Sequence, residues 1–426
     1  MGMRKREQQR LGLFVYEWAM YSLMKDFAVK LAESGYLVDI FYKAMPAPIE
    51  LADVHALYSH QNIRYFDSTE PQTWSGNLAR RARILLNRAA ITLRIPRNYR
   101  PECIVDHKTL AQSRRIVGSA RYSCLIGIEK KGLVWAGLLA EAFACPLMYY
   151  SLELYTEDNP EIDRYYHVRN AEKKYHRICC ATIIQDEPRA QALFESNAAE
   201  GGDTILLPVA VRGSRIHGKS DFLRRRCNIP RSKKILLYYG FLHERRLITQ
   251  LVQAANGFGD DFILALHGWG SGKYLDYLRS ISDRTKVAFS LDAVPEQDIV
   301  DLIASADIGL ALYATTNSND RLVAFSSTKM AYYAQCGVPV IAFDTPSFRQ
   351  LLGAHSCGEL ITSMEEIPHK AHKILRGYNS YRRQAYLAFR RFYDLDANFE
   401  RFLPRFKEVL SRLDETRTHV ERHAGT

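Results

Sequence analysis

The sequence predicts an α/β protein of two Rossmann-like, doubly wound domains facing a central cleft. Three observations predict it. Apolar, strand-like runs alternate with helix-like segments from residue 11 onward, a glycine- and charge-rich stretch interrupts them at 211–234, and the alternation then restarts. At 426 residues the chain is too long for one ordinary core. Its hydrophobic fraction of 47% suffices for two cores and excludes a disordered protein.

Taken in order, residues 11–17 (LGLFVYE) read as a strand, 22–34 as a helix closed by Gly35, and 37–42 as a second strand. That βαβ unit is the mark of a parallel sheet. The loop 17–21 lacks glycines, so it is not a dinucleotide fingerprint. Further strands are expected at 123–128, 147–151 and 182–185, with helices at 132–143 and 164–177, and the half closes around 205–210. The stretch 211–234, with Gly213, Gly218, Pro230 and the run Arg224, Arg225, Arg226, is the linker candidate. Beyond it, strands are expected at 235–239, 262–267, 287–291 and 308–312, with helices at 247–255, 275–281 and 297–304.

Residues 326–345 (SSTKMAYYAQCGVPVIAFDT) carry the strongest local signal. The second half, 337–343, is a short apolar run after Gly-x-Pro and reads as a buried strand. The first half, 328–335, reads as a helix with Ser326, Ser327 and Thr328 available as caps. Such a helix start, with Lys329 in its first turn, suits an anion, although a solvated lysine on a capped helix accounts for the same residues. The tail from 379 to 422 is helical in pattern and is expected to pack back across the first domain. The domain boundaries expected are 1–212, 213–395 and a helical tail over 396–426.

The net charge of +11 favours anionic partners. Between Arg80 and Arg100 there are seven arginines and no acid, interleaved with Leu85, Leu86, Ile91, Leu93 and Ile95. This segment fits peripheral contact with an anionic membrane or an acceptor groove, and equally a solvated basic face around a partly buried helix. No apolar run reaches 18 residues and the basic start has no cleavable apolar region, so a cytoplasmic protein is expected, membrane-associated if the basic segment binds lipid. The eight cysteines form no C-x-x-C pair, which points to free thiols and no metal. No nucleic-acid module is recognisable, so nucleic acid is not an expected partner.

Ligands in two-domain α/β proteins bind where the strands end. After 235–239 comes GFLHERR, where Gly240 permits close backbone approach and Arg246 can grip a phosphate. After 262–267, ending in His267, comes Gly268-Trp269-Gly270. After 308–313 comes a polar loop containing Asn317, Asn319 and Asp320, and the fourth loop is 326–329. In the first half, Glu129 directly follows the strand 123–128, where a carboxylate could act as general base or sit solvated beside Lys130 and Lys131. Glu153 holds a similar position, Glu17 and Asp26 are further candidates, and Asp186 with Arg189 reads as a helix-start pair. The one Asp-x-Asp, at Asp394 and Asp396, lies in the tail and is not read as a metal motif.

From residue 233 to about 352, the features LLYYGFLHERRLITQLVQA, FILALHGWG, VAFSLDAVPEQDIVDLIASADIGLALY and SSTKMAYYAQCGVPVIAF resemble the group-1 retaining glycosyltransferases of the GT-B fold. The first half resembles them in outline only. The resemblance implies a nucleotide-sugar donor in the second domain and the acceptor in the first, with no separate cofactor. It places Arg246 and Lys329 on the donor diphosphate, Ser327 and Thr328 as donors at the helix start, and Gly240, His267, Gly268 and Tyr332 in the donor site. It implies that Glu129 meets the reacting sugar or the acceptor. The family commonly has two glutamates eight positions apart, and this chain has Ala324 and Tyr332 there. The function expected is a metal-independent, hexosyltransferase-like enzyme acting on a glycan or lipid-linked acceptor in surface polysaccharide assembly. The alternatives are a nucleotide-sugar epimerase or hydrolase on the same fold, and a non-catalytic binding subunit.

Overall fold

A computed structural model describes residues 8–16, 21–43, 59–68, 104–159 and 162–424. The basic segment 80–100 and Glu17 lie outside the described residues. The chain divides into two compact units, 1–207 with 402–426, and 208–401.

Unit 1 is built on seven strands: β1 (Arg10–Val15), β2 (Leu37–Tyr42), β3 (Ile63–Asp67), β4 (Cys124–Ile128), β5 (Leu147–Tyr150), β6 (Ala181–Ile184) and β7 (Asp203–Leu206). Their order is β3-β2-β1-β4-β5-β6-β7 and every pairing is parallel. The central strands β1 and β4 are near-continuous apolar runs because helices cover both faces of a parallel sheet. The order reverses between β1 and β4, the switch point at which such sheets bind ligands.

The helix Glu129–Phe143 leaves β4 and is buried along most of its length. Two glycines allow it that close. A Cβ on Gly132 would lie 2.2 Å from the Phe14 carbonyl oxygen, and one on Gly127 would lie 2.3 Å from Leu133 Cα. Trp135 is fully enclosed and donates its indole N–H to Ser113 Oγ at 3.1 Å. The C-terminal helix Leu395–Ala424 belongs to this unit from Phe402 onward. Phe402 and Phe406 meet Phe27 and Tyr36 edge-on at 5.6 and 5.7 Å, while Arg405 and Arg412 both pair with Asp203.

Unit 2 has six parallel strands: β8 (Lys234–Tyr239), β9 (Phe262–His267), β10 (Val287–Ser290), β11 (Ile308–Ala311), β12 (Val340–Phe343) and β13 (Gly358–Ile361). Their order is β10-β9-β8-β11-β12-β13. Alternation along each strand supplies two cores, Ile235, Leu237, Ile263 and Ala265 on one side, Leu236, Tyr238, Leu264 and Leu266 on the other. The stretch 211–234 is built into this unit. Its helix Phe222–Cys227 buries Leu223 completely, and Val211 bridges Asp394.

The tail is helical, as expected over 379–422, with one interruption. A π turn, Phe389–Tyr393, and extended Asp394 separate the helix Tyr378–Ala388 from Leu395–Ala424. The expected strand 337–343 shortens to β12 because Gly337 turns the chain at a φ of +61°. Among the described residues no helix is long and apolar enough to cross a membrane. The seven described cysteines are free thiols.

The close approach at Gly132 is testable against a glycine with room around it. Gly132→Ala should cost unit 1 about 3 kcal/mol, because its methyl group meets backbone. Gly353, exposed in the helix Pro346–Ala354 with nothing near its Cβ position, should gain up to about 1 kcal/mol as Ala. Urea unfolding of both variants reads the contrast, and equal stabilities would refute the packing.

Candidate functional site

In unit 2, two glycine turns lie back to back at the ends of β8 and β9. Gly240, at a φ of +135°, donates its N–H to the His267 carbonyl at 2.9 Å. A Cβ on Gly268, at a φ of +157°, would lie 1.8 Å from the Gly240 carbonyl oxygen. Neither position accepts a side chain, so backbone itself forms this floor.

Past Gly240 the chain makes the 3₁₀ turn Glu244–Arg246 and enters the helix Ile248–Ala255. Arg246 donates from Nη1 to Asp320 Oδ1 at 3.2 Å. Asp320 is buried, and Asn317 holds it through both its backbone N–H (2.9 Å) and its second carboxylate oxygen (3.0 Å). The polar loop after β11 thus supplies the counterion for the arginine after β8.

Lys329 stands in the first turn of the helix Thr328–Gln335. Tyr333 docks that helix, with its hydroxyl donating to the Leu237 carbonyl at 2.8 Å and its ring filling the space above Gly309. Ser327 caps the helix by accepting the Met330 N–H, and its Oγ meets the Tyr313 hydroxyl at 2.6 Å. The Lys329 ammonium lies 4.2 Å from the Tyr238 ring centre and 4.7 Å from that of Tyr313. A Cβ on Gly240 would stand 3.7 Å from it. Among the described residues no carboxylate pairs directly with Lys329. Burial pushes its pKa down to about 7; repulsion from Arg246 adds to this and Asp320 partly offsets it. Arg246 and Lys329, expected to meet, therefore share one electrostatic neighbourhood with Asp320. Two cations against one carboxylate, beside a helix N-terminus and a glycine floor, can take an anion.

The other expected donor-site residues surround this centre unevenly. The His267 ring contacts Ser290 Oγ through Nδ1 at 2.9 Å and stacks on Tyr239. Burial, aided by Arg226, lowers its pKa to about 4, so it is neutral at pH 7 and adds no charge. Tyr332 meets Tyr239 edge-on at 6.3 Å, and Thr328 is half-buried. Ala324 is enclosed, with its N–H on Ser347 Oγ (3.2 Å) and its carbonyl accepting the Tyr393 hydroxyl (2.8 Å).

In unit 1, Glu129 begins its helix with a φ of +56°, a left-handed conformation that costs a side-chain-bearing residue about 1–3 kcal/mol. Its Oε1 accepts the N–H groups of Leu152 and Glu153, at 2.6 and 2.9 Å, in the turn after β5. Lys130 Nζ stands 3.9 Å from Oε2. Burial raises the Glu129 pKa to about 7, against the pull of Lys130 and the two N–H groups and with a push from Glu153. A carboxyl titrating near neutrality can carry a proton in either direction. Asp186 caps the helix Glu187–Asn197 by accepting the Arg189 N–H at 2.8 Å, and Asp26 is buried in the helix Tyr21–Glu33.

Residue-level reading missed the two tyrosines around Lys329 and the pairing of Arg246 with Asp320. Tyr238 and Tyr313 are 75 positions apart in the chain and meet because β8 and β11 are neighbours. An acid in a post-strand loop was the available signal for Asp320.

No protein-family model matches the chain, and no curated protein sequence matches it. Solved structures do. Sucrose-phosphate synthase from Thermosynechococcus elongatus is similar over 95% of this chain and all of its own, with a TM-score of 0.68 and 15% identity. Anabaena Alr3699/HepE, solved with UDP and glucose, is similar over 94% of this chain and all of its own, with a TM-score of 0.66 and 14% identity. A glycosyltransferase from Rickettsia africae ESF-5 is similar over 95% of this chain and 99% of its own, with a TM-score of 0.63 and 12% identity. The chain has the GT-B glycosyltransferase fold.

The raised pKa of Glu129 makes a signed prediction. The folded chain keeps that proton to about pH 7, whereas an ordinary carboxyl releases it near 4.5. Its stabilising contribution is therefore complete below about 4.5 and lost as pH rises through 7. Glu129→Gln should match the parent near pH 5 and exceed it by about 1–3 kcal/mol at pH 8. Urea unfolding at both pH values measures the difference, and a pH-independent one would contradict the assignment.

Proposed function

We propose that the protein is a glycosyltransferase using a nucleoside-diphosphate sugar, with uridine diphosphate as the first base to test. The observation that carries the reading is the arrangement of Arg246 and Lys329, two cations with one shared acid beside the start of the helix Thr328–Gln335. The solved complexes of HepE with UDP and with UDP-glucose support the choice of donor. As the sugar leaves, negative charge grows on the diphosphate, and these two side chains and the helix N-terminus meet it. Charge met in this way calls for no metal ion. Glu129, with a pKa near 7, takes the proton from the acceptor hydroxyl as the glycosidic bond forms. A hexosyl group as cargo, a glycan or lipid-linked acceptor, and a role in surface polysaccharide assembly on the cytoplasmic face of a membrane complete the proposal. The membrane contact rests on the Arg80–Arg100 sequence alone.

One observation favours a second reading, a non-catalytic binding subunit. Ala324 stands where related enzymes commonly carry a glutamate, and its backbone is tied to Ser347 and Tyr393 in the core. Such a subunit binds the donor and transfers nothing, so product analysis with candidate acceptors separates the two.

Binding itself has a proton signature. At pH 8 Lys329 is mostly neutral, and a bound diphosphate restores its charge, so binding should take up close to one proton. Calorimetric titration with UDP in two buffers of different ionisation enthalpy reads that uptake directly. Lys329→Met should abolish the uptake and weaken binding about 10- to 100-fold, and Arg246→Ala should weaken it similarly. A parent protein that binds none of a panel of nucleoside diphosphates would remove the enzyme reading.

A further inference from the structure

We propose that Gln185 and Arg189 are positioning residues for Glu129, acting through the two peptide groups that join Ser151, Leu152 and Glu153. The proposal rests on the reading above for the role of Glu129, and its geometry stands alone. β5 ends at Tyr150, and Ser151 makes one more ladder-like bond, from its N–H to the Ile183 carbonyl at 3.0 Å. The chain then turns across the end of the sheet. In the peptide between Ser151 and Leu152, the carbonyl accepts from Gln185 Nε2 at 2.7 Å while the N–H donates to Glu129 Oε1 at 2.6 Å. In the next peptide, the Leu152 carbonyl accepts from Arg189 Nη2 at 2.7 Å while the Glu153 N–H donates to the same Oε1 at 2.9 Å. Arg189 Nε in turn donates to Gln185 Oε1 at 2.8 Å, so the two side chains form one fork.

Each peptide is thus gripped at both ends, by the fork on its oxygen and by Glu129 on its N–H. A guanidinium on the carbonyl polarises the peptide and strengthens its N–H as a donor, which stabilises the ionised carboxylate beyond. Burial argues that the arrangement is selected. Arg189 is 0% exposed and Gln185 1%, and enclosing a charged group costs several kcal/mol unless it is well bonded. Asp186, three positions before Arg189, directs Oδ1 at the Arg189 backbone N–H. The other charged and titratable groups that face Glu129 are Lys130 on its own helix, Glu153 in the turn, and the Tyr149 and Tyr150 hydroxyls of β5.

The test titrates the Glu129 carboxyl by NMR in the full-length chain labelled with ¹³C-glutamate, its resonance assigned by Glu129→Gln. Arg189→Met should raise the midpoint by about one pH unit, because both N–H bonds to the carboxylate weaken. Arg189→Lys keeps a cation and one donor but breaks the fork, and should fall between. Glu359, held in unit 2 by Lys373 and Tyr381, serves as the internal control and should hold its midpoint. An unchanged Glu129 midpoint in either folded arginine variant overturns the proposal, as does failure of both to fold, which would make Arg189 a folding residue only. No donor or acceptor enters this measurement, so absence of transfer would count against the proposed function and leave the positioning intact.

Discussion

An ammonium held against tyrosine rings, with no carboxylate paired to it among the described residues, is the constraint on which unit 2's candidate site depends. Lys329 reaches that position because Tyr333 locks its helix to the sheet through the Leu237 carbonyl, and because Gly309 leaves space for the Tyr333 ring. Taking charge out of water is costly, and the rings of Tyr238 and Tyr313 return part of that cost through their negative faces. They cannot return all of it, so the group sits near the pH at which it loses its proton. Arg246 behaves differently because a guanidinium does not deprotonate, and Asp320 accordingly stands against it. One cation with a carboxylate partner thus stands beside a second whose charge is marginal near neutral pH.

Unit 1 uses the same physics with the sign reversed. The Glu129 carboxyl is desolvated until its pKa approaches 7, and two peptide N–H groups stop it from rising further. Its left-handed backbone has a cause in the packing. The helix it opens must approach β1 closely enough for Gly132 to touch the Phe14 carbonyl, and the chain turns sharply at Glu129 to achieve that. A strained residue at a strand-to-helix turn, bearing a raised carboxyl held by the next strand's loop, follows from sheet geometry and burial together.

Much of this architecture was legible in the residues. The strands at 37–42 and 262–267 and the helix at 328–335 fall where periodicity places them, because each is a run of apolar residues or strong helix formers between clear stops. β3 (IRYFD) and β13 (GELI) were not legible, since edge strands carry polar residues and give no continuous apolar run. The helix His107–Val117 is likewise mostly polar and its cap Asp106 was the available cue, whereas the start of Glu187–Asn197 was read from Asp186 and Arg189. In the site, glycine turns and basic residues after strands could be read directly. The tyrosine surround of Lys329 and the fork of Gln185 and Arg189 could not, because strand order decides which distant residues meet.

Ala324 stands where the glycosyltransferases that this sequence resembles commonly carry a glutamate. A glutamate there would bring a carboxylate into a core that includes Phe325, Phe348 and Tyr393, with the backbone on either side already committed to Ser347 and Tyr393. A buried carboxylate in that setting would need a cation or strong hydrogen-bond donors to hold its charge. Alanine at 324 makes no such demand, and its methyl group packs in the same core as Phe325, Phe348 and Tyr393.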